Sequence, residues 1–317
     1  MNDIARVVRE RGYEPLAGGM TNHLFVHRRR GEVLRLAVTS DPEVRGWKTQ
    51  DFARCRAASP LFASCGLMPE VLDAGDDWGG TGCPYLVERF VSGRNLSEAY
   101  ADAPDFWDER LPGEIVRIYQ GLLEAGSPLE EAAGFWQDKL AWLDELNDSP
   151  HFTRFADLHA VCRAAVLSLA ERELPCPHLH GDLQLANLLV VDARAGRLLL
   201  IDWELTQRLP LAFEFAHFYQ NLYDPVPQTV DALRPYYERA RPLKRLWENL
   251  APRLAAEFGV GGETFRRAVI IHRSGWLRPL DGALRAGDDE QAVHWERKLR
   301  AVVDGATFDV LPAPPEV

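Results

Sequence analysis

Three oxygen-bearing side chains stand at short intervals in the middle of the chain. Asp182 and Asn187 lie in His180-Gly181-Asp182-Leu183-Gln184-Leu185-Ala186-Asn187, and Asp202 follows in Ile201-Asp202-Trp203-Glu204. A hard cation such as Mg²⁺ takes oxygen ligands in octahedral geometry, a few from protein and the rest from phosphate and water. Asp202 offers a carboxylate and Asn187 an uncharged carbonyl, so the two hold a metal without crowding negative charge. Asp182 is then free to accept the proton of an attacking hydroxyl. That is the division of labour in kinase phosphoryl transfer.

Positioning these groups requires a particular local fold. Leu188–Val191 and Leu198–Ile201 read as two short apolar strands, and Asp192–Arg197 between them is a polar, glycine-bearing reversal. Asp182 and Asn187 therefore sit on a loop before the first strand, and Asp202 just past the second. His178, beside the apolar run, takes no role.

Upstream, 2–11 reads as a short amphipathic helix, followed by strand, glycine turn and strand over Leu16–Val26. Gly18 and Gly19 there let backbone N–H groups approach phosphate oxygens. Arg35 falls in the middle of the apolar strand Glu32–Val38, where a buried guanidinium needs an anion; the alternative is a solvent-facing position on an edge strand. A helix within Glu43–Ala58 and strands at Pro69–Gly75 and Pro84–Gly93 follow. Beyond Asn95 the apolar spacing turns helical, over 111–123, 135–146, 158–170, 211–218, 232–239, 243–258, 265–286 and 289–303. A Pro-rich tail closes the chain.

The pair of motifs resembles the aminoglycoside phosphotransferase and choline kinase superfamily, which has a protein-kinase-like fold. The resemblance implies Asp182 as catalytic base, Asn187 and Asp202 as metal ligands, and His180 as a brace for the loop. Gln184 and Glu204 are structural residues or lie near the acceptor. Gly18, Gly19 and Asn22 open the nucleotide site. Arg35 contacts nucleotide phosphates and pairs with an acidic residue on the next helix: Asp51 fits the rhythm Asp51-x-x-x-x-Arg56-Ala57, and Glu43 competes. The backbone at Glu88 to Phe90 is the hinge that bonds an adenine ring. The chain departs from the pattern in having Asp at Asp51 where Glu is usual, Leu185 where relatives often have Pro, and Glu214 in place of Asp.

The implied fold is α+β, with a small β-rich N-terminal nucleotide lobe over 1–93, a larger, mostly helical lobe over 94–311 that carries catalysis and the acceptor, and a flexible tail over 312–317. The implied reaction moves the γ-phosphate of ATP, with GTP left open, to a hydroxyl with Mg²⁺. The expected acceptor is a small, amine-bearing molecule of the aminoglycoside or choline type; Trp247, Trp276 and Trp295 read first as core residues, with a cation–π cage for the amine as the alternative. A Ser or Thr hydroxyl of a natural-product peptide is the alternative. A non-catalytic nucleotide-binding scaffold is the rival class, and the presence of Asp182, Asn187 and Asp202 together weighs against it.

Composition sets the outer bounds. The 317 residues suffice for two lobes with substantial cores, and 46% hydrophobic content is that of a globular chain. A net charge of −11 argues against nucleic acid, and it either favours a cationic acceptor or serves only solubility. No apolar run approaches a membrane span, and the start of the chain lacks a signal-peptide pattern, so the expected location is cytoplasmic. Five scattered cysteines without a CxxC pair fit free thiols in a reducing compartment.

Overall fold

The computed structural model of the chain describes residues 2–16, 22–125, 133–172, 174, 176–192, 196–223 and 243–305. Gly18, Gly19, the expected helix 232–239 and the tail 312–317 lie outside the described residues.

The N-terminal third holds a five-stranded antiparallel sheet in the order β1-β2-β3-β5-β4, formed by β1 (Glu14–Pro15), β2 (His23–His27), β3 (Glu32–Leu36), β4 (Val71–Gly75) and β5 (Tyr85–Arg89). Alternation along β3 sorts its side chains between the two faces. Leu34 and Leu36 join Val8 of helix α1 (Asn2–Glu10) with Tyr13, Trp78, Cys83 and Val87 in a small core. Val33 and Arg35 face the opposite way, with Leu86 and Glu88 beside them in the β3–β5 register. Helix α2 (Pro42–Phe62) crosses on that side, capped by Asp41, whose Oδ1 accepts from the N–H groups of Glu43 and Val44. It runs beyond the expected end at Ala58, through Pro60, because Phe52, Cys55, Ala58 and Phe62 on one stripe bury into the main core.

The remainder is mostly helical. Helices α3 (Leu96–Asp102), α4 (Pro104–Ala125), α5 (Ala133–Asp144), α6 (Phe152–Ala170), α7 (Leu211–Tyr223), α8 (Lys244–Phe258), α9 (Gly262–Arg273), α10 (Leu277–Ala286) and α11 (Asp289–Val303) share one large core. The single helix expected over 265–286 is two, α9 and α10. They are separated by a 3₁₀ turn at Ser274–Trp276, where the Ser274 hydroxyl donates to Ile271 O at 2.7 Å and competes with the helical ladder. Two small sheets carry the motif residues. Strand β6 (Arg94–Asn95) pairs β8 (Leu188–Asp192), which pairs β9 (Arg197–Leu200), and β7 (His178–Leu179) pairs β10 (Gln207–Arg208). The architecture is α+β, a small sheet-based part followed by a larger helical one. No helix among the described residues is long and apolar enough to cross a membrane, and all five cysteines are free thiols.

Candidate active site

The loop between β7 and β8 is shaped by a residue with no side chain. Gly181 has φ +86°, and a Cβ there would lie 2.1 Å from Leu205 O. Its N–H donates to the Glu214 carboxylate at 3.0 and 3.3 Å, and Tyr119 Oη donates to Glu214 Oε1 at 2.7 Å. Burial raises the Glu214 pKa, with His180 and these donors working against it. His180, fully buried, ties the two motifs together: Nδ1 accepts from the Asp182 N–H at 3.2 Å, so Nε2 carries the proton that goes to Ile201 O at 2.8 Å. It packs edge-on against Trp203.

Asp182 is surrounded by donors. Its Oδ2 accepts from Gln184 Nε2 at 2.9 Å and Asn187 Nδ2 at 2.8 Å, and its Oδ1 faces His217 Nε2 at 2.7 Å. Burial alone would raise its pKa, but the His217 hydrogen bond and charge, then His180 and Gln184, more than offset that and hold it at about 2. Ionised Asp182 makes His217 Nε2 the donor. His217 Nδ1 shares a proton with His272 Nε2, 2.7 Å away on α9, and the buried His272 Nδ1 has no partner among the described residues. Burial, His217, Arg273 and Lys139 all push the His272 pKa well down, so it is neutral.

Asn187 and Asp202 are brought together by the β8–β9 ladder, where Leu188 faces Leu200 and the Ile201 N–H donates to Asn187 O at 2.9 Å. The Asn187 amide nitrogen is used on Asp182, through Oδ2 and through the backbone O at 2.9 Å, which leaves its carbonyl oxygen for a cation. Asp202 has φ +67°, the one positive value at a non-glycine among the described residues, a conformation Asp tolerates better than most. Its side chain is 43% exposed, with Oδ1 2.8 Å from Arg35 Nη1. One carbonyl and one accessible carboxylate suit Mg²⁺, which draws its other oxygens from phosphate and water. Among the described residues no group of three or more His, Cys, Asp and Glu could hold a metal alone.

Arg35 finds its anions elsewhere than on α2. Its Nε donates to Glu88 Oε2 at 2.7 Å and its Nη1 to Asp202, with Glu204 Oε1 at 3.7 Å. Burial disfavours its charge, and these three carboxylates more than compensate. The expected pairing with Asp51 is thus corrected, and Glu43 does not supply it either. Asp51 instead pairs with Arg54 and lies 3.7 Å from Lys48 Nζ. Register explains the difference: Arg35 stands opposite Leu86 and Val33 opposite Glu88, so Arg35 and Glu88 are diagonal neighbours on one face.

Glu204 is likewise a tie within the structure. It accepts from Asn22 Nδ2 and from Lys48 Nζ at 2.5 Å, while burial and Asp202 raise its pKa against the pull of Lys48 and Arg35. Asn22 therefore spends its amide on Glu204, and its Oδ1 is buried without a partner among the described residues. The backbone at the expected hinge is partly engaged, the Arg89 N–H donating to Glu70 O at 2.8 Å. Glu88 lies in β5 between β3 and β4, with its carboxylate on Arg35, and the Phe90 N–H donates to Gly31 O at 2.8 Å.

The expected aromatic cage does not form as drawn. Trp247 is fully buried against Tyr219 and Phe265. Arg273 covers the Trp276 ring at 4.1 Å, and Lys298 lies 5.2 and 5.5 Å from the Trp276 and Trp295 rings. Lys48, His217, His272 and Tyr119 are site residues that the motifs did not reveal. Glu214 and His217, at i and i+3 on α7, turn the same face to the catalytic loop, which is the signal their spacing carried.

A sequence profile described as the phosphotransferase enzyme family matches residues 12–253. No curated protein matches the sequence significantly. Aminoglycoside 2'-phosphotransferase-IIIa in its GDP complex superposes with a TM-score of 0.60 at 16% identity, over 96% of this chain and 99% of that one. A thermostable mutant of aminoglycoside phosphotransferase APH(4)-Ia, in a ternary complex with AMP-PNP and hygromycin B, gives 0.61 at 18% identity over 96% and 98%. These likenesses place the fold among the kinase-like two-lobed structures. With the profile spanning most of its length, the chain belongs to the phosphotransferase enzyme family and is a phosphotransferase.

Proposed function

We propose that the protein moves the γ-phosphate of ATP to a hydroxyl of a small molecule, with Mg²⁺ held by Asn187 and Asp202. The observation that carries this reading is the Asp182 carboxylate, fixed by His217, Gln184 and Asn187 beside the two metal-fitting oxygens. Crystallised neighbours bound to GDP, ADP or AMP-PNP, and to kanamycin or hygromycin B, support a nucleotide and a small acceptor. GTP is the alternative donor. The nucleotide lies between a 1–93 lobe and the helical lobe, and the free thiols fit the cytoplasm.

The acceptor hydroxyl oxygen bonds to the γ-phosphorus as the bond to the bridging oxygen of the leaving diphosphate breaks, and the hydroxyl proton passes to Asp182. A carboxylate with a pKa of about 2 is ionised throughout the neutral range but is a weak base. Its main contribution is therefore to orient the hydroxyl, with proton transfer late in the reaction. Bound Mg²⁺ would neutralise phosphate charge. Arg35 adds positive charge beside Asp202.

The test measures diphosphate release against a panel of hydroxyl acceptors, alongside nucleotide titration. Asp182→Asn should cut acceptor-stimulated release by about 10²–10⁴ while nucleotide affinity stays near the wild type. Asp202→Ala should weaken Mg²⁺-dependent nucleotide binding as well. Near-normal turnover in Asp182→Asn would refute the base assignment.

A further inference from the structure

Lys139, on α5, stands out because its half-buried charge is unanswered. Among the described residues it makes no ion pair or hydrogen bond; its ammonium lies 5.5 and 5.1 Å from the ring centroids of Phe135 and Phe213. Burial lowers its pKa, and among the described residues the opposing charge is that of its sequence neighbour Asp138. Two aromatic faces stabilise a cation by less than full hydration does. A lysine kept in such a place is poised for an anion brought from outside.

Its surroundings connect it to the reacting centre. Phe213 is on the first turn of α7, with its ring 5.2 Å from that of His272. His272 bonds His217, and His217 bonds Asp182. The charged groups acting on His272 are His217, Arg273 and Lys139, all cationic when protonated, and no described carboxylate is among them. Of the nearby acids, Glu214 is occupied by Tyr119 and Gly181, and Asp182 by its three donors. The chain's net charge of −11 is thus not the charge of this wall. A polycationic acceptor would meet like charge there.

We infer that the acceptor carries an anionic group, a carboxylate or a phosphate, which Lys139 binds between Phe135 and Phe213 while the acceptor's hydroxyl lies at Asp182. The inference rests on the reading of Asp182 as the acceptor site. It narrows the substrate to hydroxy acids, hydroxy amino acids or phosphorylated alcohols.

The test uses the full chain loaded with Mg²⁺ and AMP-PNP. Glycerate, glycerol 3-phosphate and choline are each titrated, and labelling of Lys139 by an amine-reactive anhydride is followed by peptide mass spectrometry. One or both anions should slow Lys139 labelling about tenfold at saturation, and choline should not. Protection by glycerate alone marks a carboxylate, and by glycerol 3-phosphate alone a phosphate. Lys139→Met should remove the anion-binding heat in calorimetry, and Lys139→Arg should retain it; an unchanged nucleotide titration shows that both variants are folded. Equal labelling with and without either anion, or protection by choline, overturns the inference. Nucleotide binding and Asp182-dependent turnover test the kinase reading separately: if they hold while protection is absent, only the anionic acceptor falls. If they fail while protection persists, the anion site stands and the kinase reading falls.

Discussion

His217 Nε2 lies 2.7 Å from Asp182 Oδ1, so the carboxylate at the centre of the site is held by an imidazole from the following helix as well as by its own loop. Burial works to raise the Asp182 pKa, and His217 is the largest single influence bringing it down to about 2. His217→Phe should therefore raise it by about a unit or more. A base must be ionised to work, so the acid limb of the kcat profile should move to higher pH, and turnover at neutral pH should fall about tenfold through lost orientation. His217→Gln, which can still donate, should recover part of both. A pH–rate profile in the three proteins checks this; superimposable acid limbs would show that His217 does not act on Asp182.

Arg35 offers a test of which acid it depends on. Arg35→Met leaves Glu88, 3% exposed, without a cation and should destabilise the fold by about 3–5 kcal/mol. Asp51→Asn, acting on the Arg54 and Lys48 contacts, should cost about 1 kcal/mol or less. Urea titration of both variants decides. Equal losses would return Asp51 to the role expected for it.

These cases also show what a sequence can and cannot convey. Asp182, Asn187 and Asp202 were readable because short-range chain geometry fixes them: one loop, one ladder and one turn, all within 21 positions of one another. The β8–β9 pairing alone brings Asn187 to Asp202. Arg35 was readable as a cation needing an anion, but its partner depended on the β3–β5 register, which the intervening segments do not encode locally. His217 depended on how α7 docks, and His272 on α9, 55 residues beyond His217, docking beside it. The break between α9 and α10 was hidden because apolar spacing runs through it, and the Ser274 side-chain bond leaves no periodic trace.

Gly181 tests the loop itself. Its φ of +86° and the 2.1 Å approach of Leu205 O to a Cβ mean that Gly181→Ala must shift the strand ends around the motif. The left-handed conformation costs an alanine about 1–2 kcal/mol, and the overlap adds to it. A loss of about 2–4 kcal/mol is expected, with turnover falling further than nucleotide affinity because Asp182 is the next residue. Thermal unfolding beside kinetic assays would reveal it. An alanine variant of normal stability and rate would mean that the loop has another accessible shape.

Lys139 carries the opposite expectation for stability. A half-buried ammonium without an anion opposes folding, so Lys139→Met should stabilise the ligand-free protein, by about 0.5–1 kcal/mol, even as it removes the proposed anion contact. The sign follows from the lowered pKa. In the window between the folded value and the ordinary lysine value the unfolded chain binds more protons, so wild-type stability rises with pH there. The penalty is full below the folded value and fades as the side chain deprotonates, so the gap between Lys139→Met and wild type should narrow as the pH rises towards about 10. Denaturant titrations across that range measure the gap directly. A variant less stable than wild type at neutral pH would show that the ammonium already has its partner in the ligand-free fold, and that no incoming anion is needed to complete the site.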